Sequence, residues 1–181
     1  MSKSIAFLRA INVGGHNVKM DALRQLFEFA GYANVETFIA SGNVIFDSLG
    51  TGPAELEGQI ENLLKDSLGY KVNTFIRSDV ELSAIASYLP FSKAALDASS
   101  ALNVAFVSDP PDETAILKLM ACKTDIDDFQ IHQREIYWLC RKKQSESTFS
   151  NSVLEKAIGK PSTLRGISTI QKLAAKYAPR R

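Results

Sequence analysis

A chain of 181 residues with 45% hydrophobic and 23% charged residues is long enough for one well-buried domain or two small halves sharing a core. This composition excludes the intrinsically disordered class and the membrane class. The apolar run in the N-terminal stretch "MSKSIAFLRAINVGG" is interrupted by Arg9 and is too short for a secretion signal or a membrane span. We therefore expect a cytoplasmic protein with no membrane partner.

The net charge of +1 conceals an uneven distribution along the chain. Residues 1–140 hold 11 Lys and Arg against 18 Asp and Glu, whereas residues 141–181 hold 10 against 2. Such a split can mark a basic surface for nucleic acid or another polyanion. Alternatively, the basic final segment packs on the acidic remainder, and the charges offset each other within one fold. The longest basic run is three residues, which favours the second interpretation.

The first half of the chain alternates strands and helices. Residues 5–9 are apolar up to Arg9 and predict a strand, and apolar residues then recur at helical spacing through 20–30. The stretch "VETFIASGNVIFDS" has two β-rich runs around a Ser-Gly-Asn turn, which indicates a hairpin. Pro53 begins a helix that Gly69 ends, and "YKVNTFIRS" predicts a fourth strand. The order β-α-β-β-α-β is that of a ferredoxin-like unit.

The second half partly repeats this pattern. The predicted elements after a third helix at 79–88 are a strand at 102–107, a helix from Pro110-Pro111 to about 120, a hairpin of 129–132 with 136–140, and helices at 151–158 and 167–178. We therefore expect an α+β protein of two ferredoxin-like halves packed into one compact unit. The predicted divisions are an N-terminal half at 1–89, a connector at 90–100, and a C-terminal α+β half at 101–181 with the basic final segment.

Two polar, glycine-containing turns are expected at one edge of the first sheet. In a ferredoxin-like unit the end of the first strand, the turn between the second and third strands, and the start of the fourth strand near Lys71 share an edge. Glycines let other atoms approach the backbone, and the helix that begins near Lys19 adds free N–H groups and a positive dipole end. These are the parts of an anion site. The candidate ligand-binding residues at this edge are Arg9, Asn12, Gly14, Gly15, His16, Lys19, Ser41, Gly42 and Asn43.

A purely structural role for these turns is the alternative. Gly42-Asn43 suits a tight hairpin by itself, and Gly14-Gly15 can serve only to bend the chain. The glycine pair also lacks the third glycine of a dinucleotide fingerprint and the lysine–hydroxyl pair of a Walker loop. We favour the structural role for the hairpin turn. We favour ligand binding for the first loop, because Arg9 and Asn12 are costly near a strand end unless they have partners.

Three motifs carry a resemblance to a known family: "LRAINVGG", "ASGNVIFDS" and, near the end, "STLRGISTIQKL". On these motifs the chain resembles, over nearly its whole length, the bacterial domain-of-unknown-function family 1697. The resemblance implies a compact cytoplasmic α+β protein with ferredoxin-like architecture, and it supplies no activity that can be transferred to this chain.

The chain departs from the family pattern at three positions. Ala10 stands where the first motif has glycine. Late in the chain Thr163 and Arg165 match the pattern, whereas Gly166 and Ile167 stand where it has Asn and Trp. The loss of the Trp argues against a stacking platform in this segment. It leaves Arg165 available as a cation, and Arg165 completes the set of candidate ligand-binding residues.

Other kinds of chemistry find little support. Neither His16 nor His132 has a nucleophile next to it in sequence, so no catalytic residue is assigned and enzymatic activity stays open. The acidic stretch "TDIDDF" lacks the glycine and distal glutamate of a calcium loop, so we expect a solvated turn there and no metal. Cys122 and Cys140 lack metal spacing, and two reduced thiols are favoured over a bridge between them. No cofactor is expected.

Three functions follow from these observations. The first is binding of a phosphorylated or anionic ligand, a nucleotide or a nucleic-acid backbone, at the edge that holds the two glycine turns. The second is an enzyme of unknown reaction at the same edge, with Asn12, Ser41, Asn43 and His16 as polar contacts. The third is an interaction or scaffold protein whose two halves form a rigid platform, with an unidentified protein partner.

Overall fold

The structure is a computed structural model that describes residues 2–12, 14–39, 42–48, 50–177 and 179. The chain forms two compact units, one of residues 1–84 with 172–181 and the other of residues 85–171. Each unit contains a four-stranded antiparallel sheet. The α+β fold of two similar halves is thus confirmed, and the boundaries at 89 and 100 stay predictions.

The first unit has the predicted β-α-β-β-α-β order and ferredoxin-like strand arrangement. Its sheet runs β2-β3-β1-β4, with β1 and β3 as central neighbours. The elements are β1 (Lys3–Leu8), α1 (Met20–Phe29), β2 (Glu36–Thr37), β3 (Asn43–Asp47), α2 (Pro53–Leu68) and β4 (Thr74–Ser78), followed by α3 (Asp79–Ser87), whose last residues enter the second unit.

A proline and a glycine account for the two ends of α2, the main helix of this unit. Pro53 occupies the first turn of α2, where its missing N–H has no helical partner to lose. Gly69 ends α2 in the left-handed conformation, with φ of 80°, and donates its N–H to the Lys65 carbonyl. β2 is shorter than the predicted run, because the backbone turns into the left-handed region at Ile39, with φ of 51°.

The core of the first unit fills one face of the sheet with α1 and α2. The buried members of this core on the strands alternate, as Ala6 and Leu8 do on β1. Their partners on the helices include Leu23, Phe27 and Ile60. The β1 residues that point to the opposite face, Ile5 and Phe7, are fully buried as well, so β1 is a central strand covered on both sides.

The end of the last helix, α7 (Ile167–Tyr177), belongs to the first unit. Lys176 Nζ and Tyr177 Oη donate hydrogen bonds to Glu36 Oε2 at 2.7 and 2.8 Å, which ties the helix end to the edge strand β2. The hydrogen bond from Lys176 is the main reason that the pKa of Glu36 lies below its ordinary value. This contact places Lys176 of the basic final segment beside an acidic residue of the first half.

The second unit repeats the same topology with a sheet of order β6-β7-β5-β8. Its elements are α4 (Lys93–Asp97), β5 (Ala101–Phe106), α5 (Glu113–Met120), β6 (Asp127–His132), β7 (Glu135–Cys140), α6 (Asn151–Ile158) and β8 (Thr163–Gly166), followed by the first residues of α7. The main core of this unit is built around Leu119, Phe129, Trp138 and Leu154. The predicted helix at 151–158 is confirmed.

The elements of this unit differ from the expected ones in three places. The connector contains a helix, α4, which starts because Ser92 Oγ accepts a hydrogen bond from the Ala95 N–H. Pro110-Pro111 precede α5 rather than begin it, because Asp112 caps the helix. The strand β8 was not predicted, and it pairs with β5 so that Arg165 lies opposite Val104.

The charge asymmetry along the sequence disappears when the chain is divided into its two units. The first unit contains 11 Lys and Arg against 10 Asp and Glu, and the second contains 10 of each. The final basic segment is shared between the units, which favours the interpretation that its charges are offset within the fold. None of the helices in the described ranges is long and apolar enough to cross a membrane.

Candidate functional site

The predicted meeting of two turns occurs at the edge of the first sheet where β1 ends. Leu8 donates its N–H to the Gly42 carbonyl at 2.8 Å, which joins β1 to the turn before β3. Arg9 donates its N–H to the Asn73 carbonyl at 2.8 Å, which joins β1 to the segment leading into β4. The chain leaving β1 is therefore clamped between two neighbouring segments before it enters the glycine loop.

Gly42 fits this junction only because it has no side chain. Its φ is +73°, and a Cβ atom there would lie 2.9 Å from Ile11 Cγ2 and 3.1 Å from Leu8 Cβ. Real Cβ atoms do not approach carbon so closely, and the left-handed conformation is itself unfavourable for other residues. Close packing thus explains why the Ser-Gly-Asn motif has glycine at this position.

The start of the β1–α1 loop, residues 9–19, is anchored. Ile11 is 2% exposed in the core, and Tyr70 Oη donates a hydrogen bond to its carbonyl at 3.0 Å. Asn12 Oδ1 accepts a hydrogen bond from the Val18 N–H at 2.7 Å, which closes the loop on itself. This contact gives Asn12 a structural role, in which its amide oxygen shapes the loop.

The tip of the loop faces solvent. Gly14 and Gly15, with φ of 70° and 90°, are exposed, as are His16 and Lys19. The His16 ring stacks on the Tyr70 ring, with 3.7 Å between ring centroids and 21° between ring planes. Burial raises the pKa of the Tyr70 hydroxyl, which donates the hydrogen bond to the Ile11 carbonyl. A short segment of exposed backbone is held beside a fixed aromatic pair.

Helix α1 begins from this loop with Lys19 in the N-cap position. Lys19 is extended, with φ of −65° and ψ of 140°, and no side-chain cap of α1 occurs in the part of the chain that the structure describes. The first N–H groups of the helix are therefore available to solvent or to a ligand. Asp21 lies in the first turn and offsets part of the positive dipole end.

The hairpin residues have a largely structural role in the described geometry. Asn43 is fully buried, and its Nδ2 donates a hydrogen bond to the Phe38 carbonyl at 2.9 Å. Phe38 in turn donates its N–H to the Asn43 carbonyl at 3.0 Å, so these two residues close the hairpin. Ser41 lies outside the described residues. This arrangement agrees with the preference for a structural role stated for this turn.

Arg165 lies in the second unit, buried in β8 at 7% exposure. Its Nη1 donates hydrogen bonds to Thr163 Oγ1 at 2.8 Å and to the Leu164 carbonyl at 2.9 Å. Burial lowers its pKa to about 10. Sequence reasoning missed the equivalent Arg77 of β4, which is fully buried and donates from Nη1 to the Ile76 carbonyl at 2.8 Å. The repeat of this contact in both units indicates a role in the fold for both guanidinium groups.

The prediction of a solvated turn in the acidic stretch "TDIDDF" is wrong at one position. Asp127 is 2% exposed, not solvated, and accepts hydrogen bonds from Trp138 Nε1 at 2.8 Å and from Ser147 Oγ at 2.8 Å. Within the described ranges, no group of three or more His, Cys, Asp or Glu residues could hold a metal ion. Cys122 and Cys140 are free thiols, and burial raises the pKa of Cys140.

Comparison with known proteins assigns the family. The model of a family of proteins of unknown function, DUF1697, matches residues 1–137, which include both glycine motifs and end before Arg165. The chain belongs to this family. Its fold is similar to that of the conserved bacterial protein SP0830 from Streptococcus pneumoniae, with a TM-score of 0.78 and 21% sequence identity over 96% of this chain and 97% of that one. No curated protein matches the chain.

The DUF1697 pattern has glycine at the position of Ala10, and the structure explains this. Ala10 adopts a left-handed conformation, with φ of 54°. Ile39, at the same edge of the sheet and with φ of 51°, is also a non-glycine residue in this region, and its side chain is branched at Cβ. Two residues at this edge therefore hold unfavourable backbone conformations.

Replacement of Ala10 by glycine is expected to stabilise the protein slightly. Relief of the left-handed strain gains about 1–2 kcal/mol, and the greater freedom of glycine in the unfolded chain removes roughly 0.4–1 kcal/mol. The net expectation is a gain of about 0.5–1 kcal/mol, measured by urea unfolding. A loss of stability in the Ala10→Gly variant would contradict the strained conformation at this position.

Proposed function

We propose that a phosphorylated or otherwise anionic ligand, either a nucleotide or a nucleic-acid backbone, binds at the edge formed by the β1–α1 loop and the hairpin turn. The observation that supports this most is the exposed Gly14-Gly15 backbone, which lies in the loop that leads from the anchored end of β1 into the uncapped start of α1. Backbone N–H groups at a glycine loop and a helix N-terminus are a recurrent way to bind phosphate.

The side chains around this loop supply positive charge. Lys19 and Lys71 are exposed, and Arg9 is half-buried at the end of β1. Because β4 begins at the edge where β1 ends, Lys71 approaches the same edge as the loop. A lysine ammonium beside backbone N–H groups gives charge-assisted hydrogen bonds to a phosphate oxygen. Asp21 works against this charge, so the proposal depends on the cations and the N–H groups together.

The proposal is tested by thermal unfolding in the presence of phosphorylated compounds. The panel consists of inorganic phosphate, ribose 5-phosphate, adenosine 5′-monophosphate and a short single-stranded oligonucleotide. A ligand present at ten times its dissociation constant stabilises the folded protein by about 1.4 kcal/mol, which raises the melting temperature by roughly 3–5 °C. The Lys19→Ala and Arg9→Ala variants are expected to lose most of this shift, because a hydrogen bond to a charged group contributes roughly 1.5 kcal/mol or more.

The control is Lys93→Ala in the second unit. The Lys93 side chain is 87% exposed and forms an exposed pair with Asp97, so its removal changes stability little. This variant should keep the full ligand shift. If the wild type shows no shift with any compound, or if Lys19→Ala and Arg9→Ala shift as the wild type does, the proposed function is wrong.

A further inference from the structure

An aromatic surface stands next to the proposed phosphate site. His16 is exposed and immediately follows Gly14-Gly15, and its ring lies 3.7 Å from the Tyr70 ring in a stacked arrangement. Tyr70 stacks on one face of the imidazole, and His16 as a whole is exposed. An exposed planar ring backed by a second ring is the form of a stacking platform for a nucleobase.

The platform is anchored on its protein side by packing and by two hydrogen bonds. Tyr70 is half-buried, packs against the core of the first unit, and donates its hydroxyl proton to the Ile11 carbonyl at 3.0 Å. The loop that carries His16 is closed by the hydrogen bond from the Val18 N–H to Asn12 Oδ1. A platform fixed in this way loses little conformational entropy when a ligand stacks on it.

The positions along the loop match the parts of a nucleotide. Gly15, His16 and Lys19 lie within five consecutive residues, so the exposed N–H groups, the ring and the ammonium lie close together. A sugar phosphate or inorganic phosphate would use only the glycine backbone and the lysine. A nucleotide would use the ring as well.

We propose that the ligand of this site is a nucleotide whose base stacks on the face of His16 opposite Tyr70 while its phosphate binds the Gly14-Gly15 backbone and the start of α1. This inference rests on the proposed function. The base provides affinity through stacking, which is tolerant of base identity because every base has a π face. The same chemistry is presented by a free mononucleotide and by the phosphorylated end of a single strand.

Isothermal titration calorimetry separates this inference from the proposed function. Adenosine 5′-monophosphate is expected to bind at least about fivefold more tightly than ribose 5-phosphate, because stacking of one base on an aromatic side chain contributes about 1–3 kcal/mol. His16→Ala should abolish the difference between the two compounds without preventing ribose 5-phosphate from binding. His16→Phe, which keeps a stacking ring, should retain the difference.

The second unit provides a matched control. His132 stacks on Tyr88 with 4.2 Å between ring centroids and 15° between ring planes, yet it is the last residue of β6 and does not follow a glycine loop. His132→Ala should bind both compounds as the wild type does. A 5′-phosphorylated oligoadenylate is then compared with the mononucleotide as ligand. Tighter binding of the oligoadenylate, with an affinity that falls steeply with salt, would identify the ligand as the phosphorylated end of a single-stranded nucleic acid. Equal affinities would identify the free nucleotide.

Three results would overturn the inference. Equal affinity of the wild type for the two phosphates would remove the role of the base and leave the proposed function intact. A preference for the nucleotide that persists in His16→Ala would place the base elsewhere. Absence of binding by both compounds would overturn the inference together with the proposed function.

Discussion

Replacement of Gly42 by alanine is expected to lower the free energy of unfolding by roughly 2–4 kcal/mol. The new Cβ would meet Ile11 Cγ2 at 2.9 Å and Leu8 Cβ at 3.1 Å, and both of these atoms belong to buried residues that cannot withdraw freely. The alanine would also have to adopt a φ of +73°. Thermal unfolding should show a melting temperature lowered by roughly 5–15 °C.

Gly50 provides the matched control for this experiment. Its φ is +74°, nearly the same as that of Gly42, but among the described residues no atom lies within 4 Å of the position a Cβ would take. Gly50→Ala therefore measures the conformational cost alone, about 1–2 kcal/mol. If the two variants lose the same amount, the close packing of Ile11 and Leu8 on Gly42 is not the cause.

Replacement of Asp127 by alanine is expected to destabilise the protein by roughly 3–5 kcal/mol. The carboxylate is buried and accepts hydrogen bonds from Trp138 Nε1 at 2.8 Å, Ser147 Oγ at 2.8 Å and Thr124 Oγ1 at 3.1 Å. Without it, the indole N–H in particular is left in the core with no acceptor. Urea unfolding followed by the fluorescence of Trp138, the one tryptophan of the sequence, reports on this contact directly.

Two further variants interpret the Asp127 result. Asp125→Ala removes an exposed carboxylate from the same acidic stretch and should change stability by about 0.5 kcal/mol or less. Asp127→Asn keeps an acceptor for the indole and should recover part of the lost stability. A loss below about 1 kcal/mol in Asp127→Ala would show that the three hydrogen bonds contribute little to the folded state.

The elements of the first unit could be predicted well from the sequence because the residues that end its helices act locally. Pro53 and Gly69 mark the ends of α2 through backbone properties that no distant contact changes. The strand β8 escaped prediction for the opposite reason. It has four residues and carries Arg165 in a buried position, and an arginine indicates a core strand only when its buried hydrogen-bond partners are known.

For the candidate site, the meeting of the two turns followed from topology alone, whereas the state of individual side chains did not. Asn43 in a Ser-Gly-Asn turn has the composition of an exposed loop, yet the structure buries it and uses its amide to close the hairpin. The stack of His16 on Tyr70 joins residues 54 positions apart, and no local pattern indicates it. Asp127 likewise depends on Trp138 and Ser147, which lie 11 and 20 residues away.

The two units share their topology but differ at the start of the helix that follows the first strand. Asp112 is the N-cap of helix α5, and its carboxylate accepts a hydrogen bond from the Ala115 N–H at 2.8 Å. The N-terminal end of α5 therefore already carries a negative charge of the protein, whereas the N-cap position of α1 holds Lys19. The two units have the same topology, but of these two helix ends only that of α1 has no carboxylate at its N-cap. We therefore expect one ligand per chain if it binds as proposed.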